Sequence, residues 1–444
     1  MKLPSRPRLG VVSLILGLVL AAVVAPGGGG PARAAGVDLT CQMALVKSDP
    51  DTLNIAFPDE GAIYFATTYP AVPGLRLRVE GRFPFARYAS FNAYDPTLRP
   101  IAAIADVEIR PDAGSSNPFL PNARRAAKDR DYTVFVEFTA PPKPADRAPN
   151  TMYVGRGQNG EPLLGGLFMY RIYLPDTGLG DRGGVPIPTV TLERAGTGEP
   201  LTDSACAEID RPGLALVSGF ESSSDGVAAL DGLQPWGSPR APFRKFVNLP
   251  TAFTDFLGSS QGLEAFEALS GPLSTAAGSG GFLSNVHNSY VSTAINRRYG
   301  AVAVVRLKVP TTPRTLAGQP RMPGRSQLRY WSMCTNEFVT QRFIDCAYDE
   351  QVRPDGDGFA TFVVSTPGQR PPAARAACGV TWLAWGPNAE GVLIYRHMLA
   401  DPRFRQSIQR ATYRREARTM GAYLPRVTYY DDAAAAQRAG LGRC

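Results

Sequence analysis

The sequence predicts a mainly β protein made of two tandem β-rich repeats, with a helical connector between them and a C-terminal helix after them. Two observations carry this. First, the chain repeats itself. Arg76-Leu77-Arg78-Val79, Arg87-Tyr88-Ala89-Ser90-Phe91, Thr133-Val134-Phe135-Val136 and Gly166-Leu167-Phe168-Met169-Tyr170-Arg171 occur in that order, followed by Leu174 and Asp176. Arg306-Leu307-Lys308-Val309, Arg329-Tyr330-Trp331-Ser332-Met333, Thr361-Phe362-Val363-Val364 and Gly391-Val392-Leu393-Ile394-Tyr395-Arg396 repeat the series, followed by Leu399 and Asp401. One such match is chance; four in register point to a doubled unit. Second, 45 Gly and 40 Pro in 444 residues suit a chain that turns often, because Gly supplies positive φ and Pro pre-sets a turn.

Residues 1–34 read as a signal peptide. Lys2, Arg6 and Arg8 precede an apolar run from Val11 to Val24, and Ala32-Arg33-Ala34 offers small residues for cleavage after Ala34. Removing this segment takes four of the 47 basic residues and none of the 39 acids, which leaves a net charge of +4. That is too mild to argue for nucleic acid. Export also directs the six cysteines towards disulfides rather than a metal site. Connectivity is not readable from sequence. Placement groups Cys41 with Cys206 around the first repeat, Cys334 with Cys346 across a hairpin, and Cys378 with Cys444 at the tail.

The first repeat spans 35–210. Ile63 to Thr67 is β-branched and aromatic, and Leu75 to Glu80 alternates with period two, so one face is wet. Arg87 to Tyr94 and Tyr132 to Phe138 follow the same habit, and Leu167 to Leu174 is a more apolar strand. A Pro/Asn/Ser/Arg-rich loop from Pro111 to Arg130 is long enough to be functional. The connector, 211–283, shows helical spacing over Phe246–Leu257 and Gly262–Leu269. The second repeat, 284–400, carries a Pro/Arg insertion at 310–325 that the first lacks, and Asp355-Gly356-Asp357-Gly358 marks a hairpin turn. In the tail, 401–444, Asp401 is a candidate N-cap and Pro402 a candidate N1. Phe404, Ile408 and Ala411 share a helical face, and Gly421 and Pro425 mark its stop. A short Ala-rich helix follows at Ala433–Ala436.

The matched blocks resemble a family of uncharacterised exported bacterial proteins in which a Y-W-S strand, a D-G turn and an R-x-Y strand follow one another. Here the pattern is carried by Tyr330-Trp331-Ser332, Asp357-Gly358 and Tyr395-Arg396, the last pair in reverse order. In the first repeat it is carried by Tyr88-Ala89-Ser90 and by Tyr170 to Pro175. The blocks Ala86 to Asp95 and Asn117-Pro118-Phe119 extend the likeness over most of residues 60–400. The resemblance implies a jelly-roll-like β-sandwich for each repeat. It brings no established activity, so no catalytic residue is carried over.

Candidate chemistry is sparse. Gly258-Ser259-Ser260-Gln261-Gly262 matches the G-x-S-x-G pattern of serine hydrolases, but the residues before it look helical rather than like the buried strand a nucleophile elbow needs. Only His287 and His397 could serve a triad. His397 follows a strand and reads as a packed residue. Asp345, Asp349, Glu350, Asp355 and Asp357 form an acidic group whose spacing fits no calcium loop. No cofactor or metal is expected. The better candidates are the polar residues that recur in both repeats: Arg87 and Arg329, Tyr88 and Tyr330, Tyr170 and Tyr395, Arg171 and Arg396. Arg grips carboxylates or phosphates, and Tyr offers a ring face and a hydroxyl, so these could line a cleft for an acidic or sugar-like ligand. Their structural alternative is a set of buried Arg–carboxylate pairs with Asp95 and Glu337, or Asp176 and Asp401. Six arginines from Arg403 to Arg418 on the C-terminal helix could touch an anionic envelope surface. The expectation is an exported, non-catalytic binding or cell-envelope protein whose partner is a small molecule or an envelope polymer. The alternative is a secreted hydrolase or lyase acting on such a polymer or carbohydrate.

Overall fold

Leu75, Leu77 and Val79 turn inward while Arg76, Arg78 and Glu80 stay at least partly wet, and this alternation builds a sheet with one solvated face. The computed structural model describes residues 43–48, 57–96, 98–209, 237–248, 251–252, 255–256, 283–337, 342–441 and 444. In its first half the strands are β1 (Val46–Ser48), β2 (Ala62–Pro70), β3 (Leu75–Arg82), β4 (Ala86–Tyr94), β5 (Pro100–Ala105), β6 (Asp131–Glu137), β7 (Thr151–Tyr153), β8 (Gly165–Pro175) and β9 (Thr189–Arg194), with a short helix α1 (Asp203–Ala207) behind them. The second half contains β10 (Arg244–Lys245), β11 (Asn288–Asn296), β12 (Val302–Lys308), β13 (Tyr330–Asn336), β14 (Phe343–Tyr348), β15 (Phe359–Ser365), β16 (Val380–Ala384), β17 (Glu390–Met398) and β18 (Arg426–Tyr430). Helix α2 (Glu416–Met420) precedes β18 and α3 (Ala433–Arg438) follows it.

Each half pairs a five-stranded sheet with a four-stranded one. The orders are β1-β2-β8-β4-β5 and β7-β6-β3-β9 in the first half, and β10-β11-β17-β13-β14 and β16-β15-β12-β18 in the second. Adding nine to every label of the first half gives the second. Even the parallel pairings correspond, β6 with β7 and β15 with β16. Between the two sheets of the first half lie Leu77, Val79, Phe91, Val134, Val136, Phe168 and Leu192. In the second half the equivalent layer holds Val305, Leu307, Trp331, Met333, Phe362 and Leu393. Each such side chain contributes roughly 1.5–3 kcal/mol by leaving water.

Strands β4, β13 and β17 are buried along their whole length, and β8 along all but its last residue. A half-wet antiparallel strand would alternate. These do not, because their outer faces are covered by the other half at Tyr88, Tyr173, Tyr330 and Met398, by the segments around Phe57 and Leu283 and, on β17, by Ala252 and Phe256 of the connector.

Two corrections concern the tail and the connector. No continuous helix runs from Pro402 to Gly421. The chain makes a 3-10 turn at Ile408–Arg410, reaches positive φ at Arg414, and only then forms the five residues of α2. Phe404, Ile408 and Met420 are buried in the core of the second half, so the apolar residues serve docking turns rather than one helical face. Asp401 accepts the backbone N–H of Arg403 at 2.8 Å in a turn instead of capping a helix. Strand β18, which the sequence reading missed, then pairs with β12, so the four-stranded sheet extends beyond residue 400. In the connector, β10 joins the edge of β11 and the Phe246 N–H donates to the Tyr290 carbonyl at 2.9 Å. Residues 251–252 and 255–256 are helical, but 246–248, the expected start of that helix, are not. The rest of the expected connector helices, the signal segment and Ser260 lie outside the described residues.

Cys334 and Cys346 face each other across β13 and β14 and are bonded, as are Cys378 and Cys444. Cys206 is disulfide-bonded too; Cys41, grouped with it by placement, lies outside the described residues. Such bonds are typical of oxidising, extracytoplasmic compartments. Among the described residues no helix is long and apolar enough to cross a membrane.

Candidate functional site

The repeated arginines meet at the seam between the halves. Arg87, at the start of β4, has no exposed surface. Its Nη1 donates to Asp349 Oδ2 at 2.8 Å and to the Arg329 carbonyl at 3.3 Å. Its Nε donates to Thr315 Oγ1 at 2.8 Å, and Nη2 reaches the Glu350 carboxylate. Arg329, just before β13, returns the gesture. Its Nη1 donates to Asp106 Oδ1 and to the Arg87 carbonyl, both at 3.2 Å, and Nη2 donates to the Phe119 carbonyl at 3.3 Å. Asp106 and Asp349 occupy matching places, each opening a 3-10 turn after β5 or β14. Both turns are closed alike: Glu108 accepts the Ala105 N–H at 2.7 Å and Gln351 accepts the Tyr348 N–H at 3.0 Å. Burial pushes the Asp106 and Asp349 carboxyls up, Asp349 to about 6, against the pull of the facing arginine.

A second reciprocal contact uses the segments that lead into each half. Phe57 and Leu283 both adopt φ 53, and both carbonyls receive an arginine from the opposite sheet. Arg396 Nη2 donates to the Phe57 carbonyl at 2.7 Å, and Arg171 Nη2 donates to the Leu283 carbonyl and the Tyr94 hydroxyl. Asp59 accepts the Tyr330 hydroxyl and the Ser332 hydroxyl, each at 2.6 Å. In the matching place Asn285 Oδ1 accepts the Tyr88 hydroxyl at 3.3 Å. Tyr88, Tyr173 and Tyr330 stack edge to face with ring centres 5.5 and 5.3 Å apart. Each lead-in therefore lies on the five-stranded sheet of the other half.

This placement corrects the sequence reading in two ways. The eight repeated residues do not line an open cleft. Arg87, Tyr88, Arg171, Arg329, Tyr330 and Arg396 are consumed at the seam, while Tyr170 and Tyr395 are buried in the two sandwich cores. Their carboxylate partners are also not those expected. Asp95 binds Arg99, Asp176 binds Arg125 and Asp401 binds Arg403, whereas Arg87 and Arg329 take acids from the opposite half.

The remaining candidates are scattered. His397 has no exposed surface and burial pulls its pKa down to about 3. His287 bridges the seam, with Nε2 3.3 Å from Glu108 and Nδ1 2.8 Å from the Tyr88 hydroxyl. The acidic group of β14 and its hairpin disperses: Asp349 and Glu350 hold Arg87, Asp355 holds Arg306, and Asp345 accepts the Ala384 N–H. Asp59 lies beside Cys334 and Cys346, but the two sulfurs are bonded to each other. The carboxyl of Glu60 is pushed up to about 7, first by partial burial, then by the charges of Asp345 and Asp59.

One open feature adjoins the seam. Two surface cavities of about 430 and 570 Å³ share Thr311, Arg325 and Ser326. One wall is the insertion at 310–325, which is anchored on the first half. Asn122 N–H donates to the Met322 carbonyl at 2.8 Å, Arg125 N–H donates to the Pro320 carbonyl at 3.1 Å, and Met322 enters the first half's core. The other wall is Asp401 to Gln406. Arg403 grips Asp401 with Nε at 2.9 Å and Nη2 at 2.5 Å, which holds that carboxyl at about 2. Arg314, Arg325 and Arg405 are exposed, and within the described residues their guanidinium groups make no hydrogen bond or ion pair. The sequence reading noticed the insertion but gave it no role, and placed Arg405 on a helix that does not form.

No family model and no curated protein sequence matches the chain. Solved structures are similar to it at low identity. An uncharacterised protein from Burkholderia cenocepacia is 14% identical over 96% of this chain and 90% of its own, with a TM-score of 0.46. The VPA0106 protein from Vibrio parahaemolyticus is 10% identical over 95% of this chain and 99% of its own, with a TM-score of 0.40.

Proposed function

We propose that the chain is an exported, non-catalytic binding protein of the cell envelope, composed of two copies of one jelly-roll-like sandwich. The matching strand orders support the doubling. The observation that carries the functional reading is where the ionisable groups go. At the seam, Arg87 and Arg329 spend their charge on acids of the opposite half, and His397 is neutral in a core. Among the described residues a polar groove is open, which suits holding a ligand better than transferring protons.

A second reading, a secreted hydrolase or lyase acting on an envelope polymer, draws on Glu60. A carboxyl near 7 is matched to general-acid work, and Asp345 would supply the second acid. Both readings are tested by purifying the mature protein from the envelope fraction of its host and examining it by native mass spectrometry. The binding reading expects an N-terminus at Ala35, three disulfides, and envelope polymer fragments recovered uncut. Progressive shortening of the polymer that disappears in Glu60→Gln would overturn it in favour of the enzyme.

A further inference from the structure

We propose that the arginine-lined groove beside the seam binds an anionic glycan chain, a sugar polymer with a carboxylate or phosphate on successive units. This deepens the binding reading above and rests on it.

Charge comes first. Arg314, Arg325 and Arg405 project from two separate segments of chain around one depression, and no acid of the described residues neutralises them by contact. The acid in the wall, Asp401, is already committed to Arg403. Arg325 also feels the Asp401 carboxylate, but with Arg403 already gripping that acid the arginines of the two linings outnumber it, which raises the local potential and favours an anion. Guanidinium groups also match carboxylate and phosphate oxygens in a two-pronged geometry.

Shape and neutral chemistry narrow the class. The two cavities adjoin at Thr311, Arg325 and Ser326, so together they offer a longer surface than one small anion needs. Between the arginines stand hydroxyls and amides, among them Ser326, Gln319 and Gln406. Such groups pair with sugar hydroxyls and add little to a bare phosphate. The aromatic ring in the lining, Phe404, is buried, so no stacking platform for nucleobases is presented. The groove also has a reason to be rigid. Its insertion wall is pinned to the first half through Met322, and its other wall packs on the second half through Phe404 and Ile408.

The test uses the mature full-length protein in isothermal titration calorimetry. The probes are an oligogalacturonate for the carboxylate arm, poly(ribitol phosphate) for the phosphate arm, and a neutral maltooligosaccharide of similar length. Binding to at least one anionic probe is expected, weakening with added salt; whichever arm is tighter identifies the anion. Each of Arg314→Gln, Arg325→Gln and Arg405→Gln should weaken it by roughly two- to fivefold, and the triple variant by more than about tenfold. These side chains are exposed, so the variants should keep the thermal transition of the parent. Equal affinity for the neutral probe, undiminished binding by the triple variant, or binding only to phosphatidylglycerol vesicles or single-stranded DNA would each overturn the assignment. The two levels fail differently. Neutral-glycan binding that ignores the arginines removes the groove chemistry and leaves a binding protein. Shortened anionic chains, with binding still lost in the triple variant, remove the non-catalytic reading and leave the groove.

Discussion

At the scale of single residues, burial decides behaviour more than residue type does. His397 is enclosed by the rings of Tyr395 and Phe404, with centres 4.8 and 6.1 Å away, and its Nδ1 accepts the Ile408 N–H at 3.2 Å. Desolvation lowers its pKa to about 3, while an unfolded histidine titrates near ~6.5. The unfolded chain therefore takes up a proton below about pH 6.5 that the folded chain refuses until about pH 3. Stability contributed by neutral His397 is complete above that window and is lost as pH falls through it, by about 1.4 kcal/mol per pH unit. Asp349 acts in the opposite sense. Its carboxyl is raised to about 6, so between roughly pH 4 and 6 the folded state holds the proton more tightly and gains on acidification. His397→Gln isolates the histidine. Urea unfolding of this variant should lose much of the fall in stability between pH 6.5 and 4, leaving exposed the opposite slope of the raised carboxyls, Asp349 and Glu60 among them. An unchanged pH profile would show that the imidazole is protonated in the fold.

At the scale of elements, the tail is the part the sequence described least well, and its geometry says why. The spacing of Phe404, Ile408 and Ala411 fits a helix, yet those three residues are drawn into the core by turns that no local pattern announces. Arg414 at φ 61 breaks any helix there, and an arginine carries no signal for that conformation. Strand β18 is five residues long, and its burial pattern mixes exposed and half-buried positions, so its period is weak on its own. It exists because β12 offers an edge. By contrast β3 and β6 were legible, because alternation over seven or eight residues needs no partner to be seen. The tail is held at its far end by the Cys378–Cys444 bond, which closes a sequence separation of 66. In the chain-entropy model that loop is worth about 4 kcal/mol, against about 3 for the tighter Cys334–Cys346 loop. Cys444→Ser should therefore lower the unfolding midpoint in denaturant, and early proteolysis should cut C-terminal to residue 400. A midpoint equal to the parent's would mean that β18 docks without its clamp.

At the scale of the whole molecule, the two halves hold each other by exchanging like for like. The repeated arginines were visible in the sequence as a pair, but their partners were not. Arg87 and Asp349 are 262 residues apart, and an interaction between the halves leaves no trace in the periodicity of either half. The same holds for the lead-ins, whose backbone carbonyls accept Arg171 and Arg396 and carry no side-chain signature. The groove was hidden for a related reason, since the insertion becomes a wall only when Met322 docks in the opposite half. The seam is where stability and architecture meet. Arg87 is fully buried with two carboxylates, so removing it strands both acids in a dry environment. Breaking one side of a buried pair typically costs about 3–5 kcal/mol, whereas replacing the whole set by apolar or neutral groups is often close to neutral. Arg87→Met should therefore destabilise strongly, and adding Asp349→Asn with Glu350→Gln should recover most of the loss. Arg329→Met should cost less, because its side chain keeps 10% exposure and two of its acceptors are carbonyls. Calorimetry of the parent should show one transition, since each lead-in cannot leave its host sheet without opening the other half. With both arginines replaced, that transition should split into two. A single sharp transition in the double variant would mean that the tyrosine stack and the exchanged lead-ins alone couple the halves, and that the arginines set orientation rather than cohesion.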